Sequence, residues 1–146
     1  MARIFSQEDG NLSVKPITTS RTKSYVDIDL TFANKPSGDV YKKTDAESVK
    51  QGIKNLLLTN HNEKPFQPYY GGDLNRFLFE LSEDLDEEDI EDRIASAIVG
   101  YEPRALLRRV KVTLQPDNNL IQCEIKFQVI STLEEVTQNI TLTRLR

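Results

Sequence analysis

The chain has 146 residues, of which 29% are charged and 38% hydrophobic, and its formal net charge is −4. This composition is typical of one soluble globular domain, and without a basic tract it excludes a general affinity for nucleic acid. No apolar run approaches the roughly 18 residues of a membrane span, no secretory signal is present, and the single cysteine excludes an intrachain disulfide. We therefore expect a protein made in a reducing cytoplasm that binds neither nucleic acid nor membranes.

The N-terminal part of the chain predicts an arm followed by a strand. Residues 1–24 are mostly polar and are interpreted as an N-terminal arm, ahead of a single domain over residues 25–146. Apolar and polar side chains then alternate as they do in a half-buried strand. Its inward residues are predicted to be Val26, Ile28, Leu30 and Phe32.

The first predicted helix begins at a capping box. Thr44 is its expected N-cap, and the side chain of Glu47 should reach back to the N-cap backbone. The helix should end near Thr59. Its inward side chains are predicted to be Ala46, Val49, Ile53, Leu56 and Leu57.

A loop rich in proline and glycine separates this helix from the next. Pro65 and Pro68 fix φ and hold the residues before them extended, which predicts a shaped loop. Gly71 and Gly72 permit a positive φ or a close backbone approach, ahead of a short helix with Asp73 as its N-cap. The apolar face of that short helix is predicted to be Leu74, Phe77, Leu78 and Leu81.

The second long helix begins in a very acidic segment. Asp86 is its expected N-cap, and the acidic residues of 83–92 complement the helix dipole, as in a solvated helix start. Pro103 ends the helix. Because extended residues two apart project to one side, Glu102 and Arg104 should form an ion pair, which either fixes this corner or presents it to a partner. The buried stripe of the helix is predicted to be Ile90, Ile94, Ala97, Ile98 and Tyr101.

Beyond this corner the hydrophobic period changes from helical to alternating, which predicts three antiparallel strands joined by turns at 115–119 and 132–135. With the helices covering its packed face, the fold class is α+β: an antiparallel β-meander with an added N-terminal strand, packed against about three helices. The inward residues of the three strands are predicted to be Val110, Val112, Leu114, Ile121, Cys123, Ile125, Phe127, Val129, Val136, Ile140 and Leu142.

The last strand is expected at an edge of the sheet, and two interpretations of that edge remain open. An open edge offers unpaired N–H and C=O groups to a visiting strand. Alternatively, it is an ordinary edge that Arg144 and Arg146 protect from pairing.

Few residues signal catalysis. His61 is the only histidine, which makes a structural zinc site unexpected, and no GxSxG, Walker or GxGxxG motif is present, so we predict no metal and no cofactor. A glycoside hydrolase needs two carboxyl groups, and the best acid is Glu80, with Asp73 or Glu102 as its partner. The chain has no tryptophan to stack on sugar rings, and carboxylates at helix starts are commonly caps.

Three motifs in a fixed order are more specific than any single feature. They are the loop Pro65-Phe66-x-Pro68-x-Tyr70-Gly71-x-Asp73-Leu74, the segment Leu78-Phe79-Glu80, and a helix that ends Tyr101-Glu102-Pro103-Arg104. Over residues 45 to 145 the chain resembles the GPW-type baseplate wedge family, the small sheath-initiator proteins of contractile phage tails, which are often labelled lysozyme-like.

The resemblance implies a structural virion protein of the tail baseplate, assembled in the host cytoplasm, and no enzyme. Its implied partners are other baseplate wedge proteins, the tail sheath protein, and tail tube or tube-initiator proteins. The alternative function is a cell-wall muramidase that uses Glu80. In the loop, Phe66 is expected in the core and Tyr69 at the surface. The implied contacts with the wedge core are Glu102, Pro103, Arg104, Pro65, Tyr69, Gly71 and Asp73, and those with a sheath strand are Val136, Ile140, Leu142 and Arg144.

Overall fold

The computed structural model of the chain describes residues 25–79, 86–115 and 118–143. The predicted arm at 1–24, Glu80 of the muramidase alternative, and Arg144 lie outside the described residues. The elements in chain order are β1 (Val26–Ile28), β2 (Lys42–Thr44), α1 (Asp45–Leu58), a 3₁₀ helix (Leu74–Phe79), α2 (Glu87–Tyr101), β3 (Ala105–Gln115), β4 (Leu120–Val129) and β5 (Glu135–Thr143).

The predicted meander is confirmed as a three-stranded antiparallel sheet in the order β3-β4-β5. Side chains along β4 alternate between the core and the other face, as the sequence period requires. The β3–β4 register shifts between Leu107 and Arg109, which is a β-bulge near the start of β3. The bulge leaves the rest of β3 in a regular ladder with β4 as far as Gln115.

The core lies between the inner face of this sheet and the apolar faces of α1, α2 and the 3₁₀ helix. The α+β class is therefore confirmed, because helices and antiparallel strands bury one shared cluster. No helix within the described ranges has the length and apolar character needed to cross a membrane. The fully buried large side chains are Phe127, Ile53, Leu56, Leu57, Leu74, Ile90, Ile94, Ile98, Ile125, Val49, Val112 and Val129.

The N-terminal strand differs from its prediction. β1 has three residues and pairs with β2 in a separate two-stranded ribbon. The expected half-buried strand is wrong, because Val26, Ile28, Leu30 and Phe32 are 48–64% exposed. The ribbon contacts α1 through its backbone: Gln51 Nε2 donates to Ile28 O at 2.7 Å, and Leu30 N–H donates to Gln51 Oε1 at 3.3 Å. Backbone anchoring leaves the apolar side chains free to point outward.

The two long helices begin in different ways. Thr44 is the N-cap of α1 but makes no side-chain capping bond, so the predicted capping box is wrong. Glu47 instead pairs with Lys50, one turn along the helix. At the start of α2 the prediction is confirmed, because Asp86 accepts a hydrogen bond from the Glu88 N–H at 3.1 Å.

Candidate functional site

The ion pair at the end of α2 forms as predicted and is bidentate. Arg104 Nε donates to Glu102 Oε1 at 2.6 Å, and Arg104 Nη2 donates to Glu102 Oε2 at 2.7 Å. Glu102 is only 6% exposed. Hydrogen bonding to that carboxylate raises the pKa of the Arg104 guanidinium, which stays charged. The two side chains thus hold the chain in one shape where α2 turns into β3, with Pro103 exposed between them.

Two small residues of α1 complete this Glu-Pro-Arg corner, and sequence reasoning missed both. Ser48 is fully buried, and its Oγ accepts from Arg104 Nη1 at 3.3 Å. Gly52 lies one turn further along α1, where an added Cβ would stand 2.6 Å from Glu102 Oε2 and 2.7 Å from Arg104 Nη2. The sequence did contain a signal for this contact, because Ser48 and Gly52 are small residues four positions apart and therefore lie on one face of α1. Small side chains on that face leave room for the paired guanidinium and carboxylate groups.

The proline-rich segment forms a compact projection, which we call the proline loop (residues 62–70). The N–H of Asn62 donates to Pro68 O at 2.8 Å, and the N–H of Tyr70 donates to Gln67 O at 3.1 Å. The tip residue, Phe66, has a φ of 65° and a fully exposed side chain. The expectation that Phe66 lies in the core is wrong, whereas Tyr69 is at the surface as expected, 76% exposed.

The base of the proline loop is fixed to the end of α1. Gly71 has a φ of 121°, and an added Cβ would lie 2.3 Å from Thr59 O, so this position requires glycine. The N–H of Gly72 donates to Leu56 O at 3.0 Å. This bond satisfies a carbonyl that the helix end would otherwise leave without a partner. The loop therefore projects from a rigid base.

Tyrosines join the proline loop to the Glu-Pro-Arg corner. The hydroxyl of Tyr101 donates to Tyr69 O at 3.1 Å, and the rings of Tyr70 and Tyr101 meet edge to face at 5.2 Å between centroids. Burial, then the negative charge of Glu102, raise the pKa of Tyr70. The residues predicted to bind the wedge core thus lie together on one side of the molecule, although about 30 positions separate loop and corner in the sequence.

Asp73 lies at the inner end of this surface and faces His61, with Oδ2 3.7 Å from Nδ1. Arg93 of α2 also contacts the His61 ring and donates to Gly72 O at 3.4 Å. Tyr69 lines a shallow cavity of about 200 Å³ together with His61 and Arg93, and its ring meets that of His61 edge to face at 6.4 Å between centroids. Within the part of the chain that the structure describes, no cluster of histidine, cysteine or acidic side chains could hold a metal ion.

Three of the four residues predicted to pair with a sheath strand lie on β5, an edge strand of the sheet, and the fourth, Arg144, lies outside the described residues. Val136, Ile140 and Leu142 are 7%, 4% and 5% exposed, so their side chains belong to the core. They keep β5 in place on the sheet, and any contact with a visiting strand must use the backbone of the residues between them.

The hydrogen-bond pattern identifies those residues. The N–H of Val129 donates to Glu134 O at 2.9 Å, and the same register continues along β4 and β5 without a bulge. Bonded and non-bonded pairs alternate in an antiparallel ladder, so the N–H and C=O groups of Thr137, Asn139 and Thr141 point away from β4. Beside them lies a groove of about 450 Å³ between β5, α1 and the N-terminal ribbon.

An α+β domain with an edge strand and a rigid, aromatic-tipped loop is suited to contacts with other proteins. Residues 43–134 match the family described as baseplate wedge protein gp25, and the chain belongs to this family. It is a baseplate wedge protein of a contractile phage tail and a component of the virion. The resemblance seen in the three sequence motifs is confirmed.

A sequence relative agrees with this assignment, and two solved structures share the fold. The chain is 32% identical over 116 residues to the baseplate wedge protein gp25 of Enterobacteria phage T4, covering 80% of this chain and 88% of the relative. A Geobacter sulfurreducens structure described as a tail lysozyme has a TM-score of 0.60 at 20% identity, covering 68% of this chain and 91% of that one. A chain of the anti-feeding prophage baseplate has a TM-score of 0.57 at 22% identity, covering 82% of this chain and 86% of that one. At these identities the two structures show the shared fold alone.

Proposed function

We propose that this chain is a structural adaptor of the baseplate with two binding sides. One side, the Glu-Pro-Arg corner with the proline loop, docks on the core of the wedge. The other side, the edge of β5, initiates tail sheath assembly by pairing with a strand of a sheath subunit. The observation that carries the proposal is the β5 edge, which has no neighbouring strand among residues 25–79, 86–115 and 118–143.

The docking side is supported by a rigid shape and exposed aromatic surface. Phe66 projects from a loop that its own hydrogen bonds hold in place, so little conformational entropy is lost when a partner covers it. Large aromatic side chains that fill a partner's pocket commonly dominate binding energy. The fork of Arg104 already binds Glu102 and Ser48, so Arg104 contributes to docking by fixing the shape of the corner.

The choice of variant follows from that geometry. Replacing Arg104 with alanine would leave the carboxylate of Glu102 buried without its partner, and so would alter stability and docking together. Phe66→Ala removes an exposed side chain and leaves the ion pair intact. It therefore tests docking alone.

The strand-pairing side is supported by the alternation of backbone groups along β5. A truncation before Val136 would remove three core side chains, so a proline at an outward position is the sharper test. Asn139→Pro removes one outward N–H and preserves the ladder with β4, which uses the neighbouring residues. Asn139→Thr is the matched control, because it keeps the N–H and favours a strand.

The test is assembly of the virus's own sheath protein on the purified chain, followed by sedimentation and electron microscopy. We expect the wild type and Asn139→Thr to nucleate sheath rings, and a folded Asn139→Pro to lose most nucleation. Equal nucleation by both variants would contradict strand pairing at this edge.

The alternative function, a muramidase, has weaker support. Each of the two carboxylates considered as a partner for Glu80 already has a partner of its own. Asp73 faces His61, and Glu102 binds Arg104. A fold shared with a tail lysozyme at 20% identity does not carry the activity. Cell-wall clearing by the wild type that Glu80→Gln abolishes, with folding retained, would establish the enzyme and overturn the purely structural assignment.

A further inference from the structure

The two edges of the three-stranded sheet differ. β3 and β5 are both edge strands, because only β4 lies between them. On β3, two outward N–H groups donate to carboxylates of α2. The N–H of Val112 donates to Glu91 Oε1 at 2.8 Å, and the N–H of Leu114 donates to Glu87 Oε1 at 3.0 Å. A visiting strand would need the same two donors.

The spacing of the two carboxylates matches the strand. Four residues along a helix advance about 6 Å, and two residues along a strand advance about 6.6 Å. Glu87 and Glu91 therefore stand opposite alternate residues of β3, and α2 packs along that strand. The sequence predicts a solvated helix start for the acidic segment, but Glu87 and Glu91 within it bind the sheet edge.

Within the described part of the chain, the β5 edge has no such cover. Among residues 118–143 and the other described ranges, no side chain accepts a hydrogen bond from the outward N–H groups of Thr137, Asn139 or Thr141. We propose that the sheet offers one receptive edge, β5, to an extended polypeptide strand, and that Glu87 and Glu91 close the β3 edge against a second strand. This inference rests on the proposed strand pairing. It makes binding one-sided, so copies of this chain cannot extend one another's sheets through both edges.

The test removes the two carboxylates and asks whether β3 then pairs with a second copy. Asn139→Pro serves as the background, so that the β5 edge does not contribute. The test variant adds Glu87→Ala and Glu91→Ala. The matched control adds Glu88→Ala and Asp92→Ala, which remove the same charge at the same helical spacing from side chains that accept no hydrogen bond from the described residues of β3. Sedimentation velocity over a wide concentration range gives the mass, and circular dichroism establishes folding.

We expect the mass of the test variant to rise about twofold with concentration, as two β3 edges pair, while the control keeps the mass of its background. A folded test variant with the mass of the control would overturn the proposal. Where the double alanine variant does not fold, Glu87→Ala alone opens the exposed end of the edge at Leu114. A smaller rise in mass then supports the proposal, and no rise overturns it.

A second comparison separates hydrogen bonding from charge. The double variant Glu87→Gln with Glu91→Gln keeps an acceptor oxygen at each position. We expect its β3 edge to remain closed and its mass to equal that of the background variant. Association of the glutamine pair would overturn closure by hydrogen bonding. Because the experiment contains no sheath protein, its outcome is independent of whether β5 initiates a sheath.

Discussion

At the residue scale, two glycines in helices have opposite surroundings. Gly52 of α1 faces the buried fork of Glu102 and Arg104, whereas Gly100 of α2 has open space where a side chain would go. Helix propensity alone favours alanine at both positions. Gly52 therefore shows how the ion pair, made by residues about 50 positions away, decides which residue α1 can carry.

We expect Gly52→Ala to lower the free energy of unfolding by about 1–3 kcal/mol, because the added methyl group displaces the tip of a buried carboxylate. Gly100→Ala is the matched control and should raise the free energy of unfolding by about 0.5–1 kcal/mol. Urea titrations of both variants measure these changes. A Gly52→Ala protein as stable as the wild type would show that the fork moves aside at no cost.

Cys123 gives a pH-dependent prediction at the same scale. Burial, with a smaller effect of Glu91, raises the pKa of the thiol from 9.0 to about 11. The folded state therefore binds the proton more tightly than the unfolded state. The protonated thiol of Cys123 therefore contributes to the free energy of unfolding. That contribution is fully present below pH 9 and is lost as the pH rises toward 11.

We expect the free energy of unfolding of the wild type, relative to Cys123→Ala, to fall by about 2–3 kcal/mol across this range. Denaturant titrations at several pH values measure the difference, and other titrating groups cancel because both proteins share them. Parallel pH profiles for the two proteins would contradict a protonated, buried thiol.

At the scale of elements, the sequence predicts what local chemistry decides. The N-cap at Asp86 and the alternating burial of β4 follow from signals within a few residues, and both are confirmed. The Glu102–Arg104 pair also follows from its spacing. The exposure of the apolar side chains of β1 cannot be predicted from the local sequence, because it depends on Gln51 of α1 binding the β1 backbone. The position of Phe66 cannot be predicted in this way either, because the hydrogen bonds of the proline loop determine it.

The proline loop carries its own prediction. Phe66→Ala removes a fully exposed side chain, so the free energy of unfolding should change by less than about 0.5 kcal/mol. If Phe66 is an anchor in a wedge pocket, binding to the wedge protein should weaken at least about tenfold, or 1.4 kcal/mol. Isothermal titration calorimetry measures the affinity. Unchanged binding would place the docking contact elsewhere on the surface.

At the scale of the whole molecule, the two proposed binding sides are formed by different residues. The proline loop and the Glu-Pro-Arg corner lie at the ends of α1 and α2, whereas the β5 edge borders the groove beside α1 and the N-terminal ribbon. A rigid core joins the two sides. We expect binding at one side to leave the other unaffected, because the residues proposed to contact each partner differ.

The most direct test is co-purification of the chain with the wedge and sheath proteins of the same virus. The wild type should bind both proteins. Phe66→Ala should lose the wedge protein and keep the sheath, whereas Asn139→Pro should lose the sheath and keep the wedge protein. A folded wild type that binds neither, or variants that each lose both partners together, would contradict a two-sided adaptor.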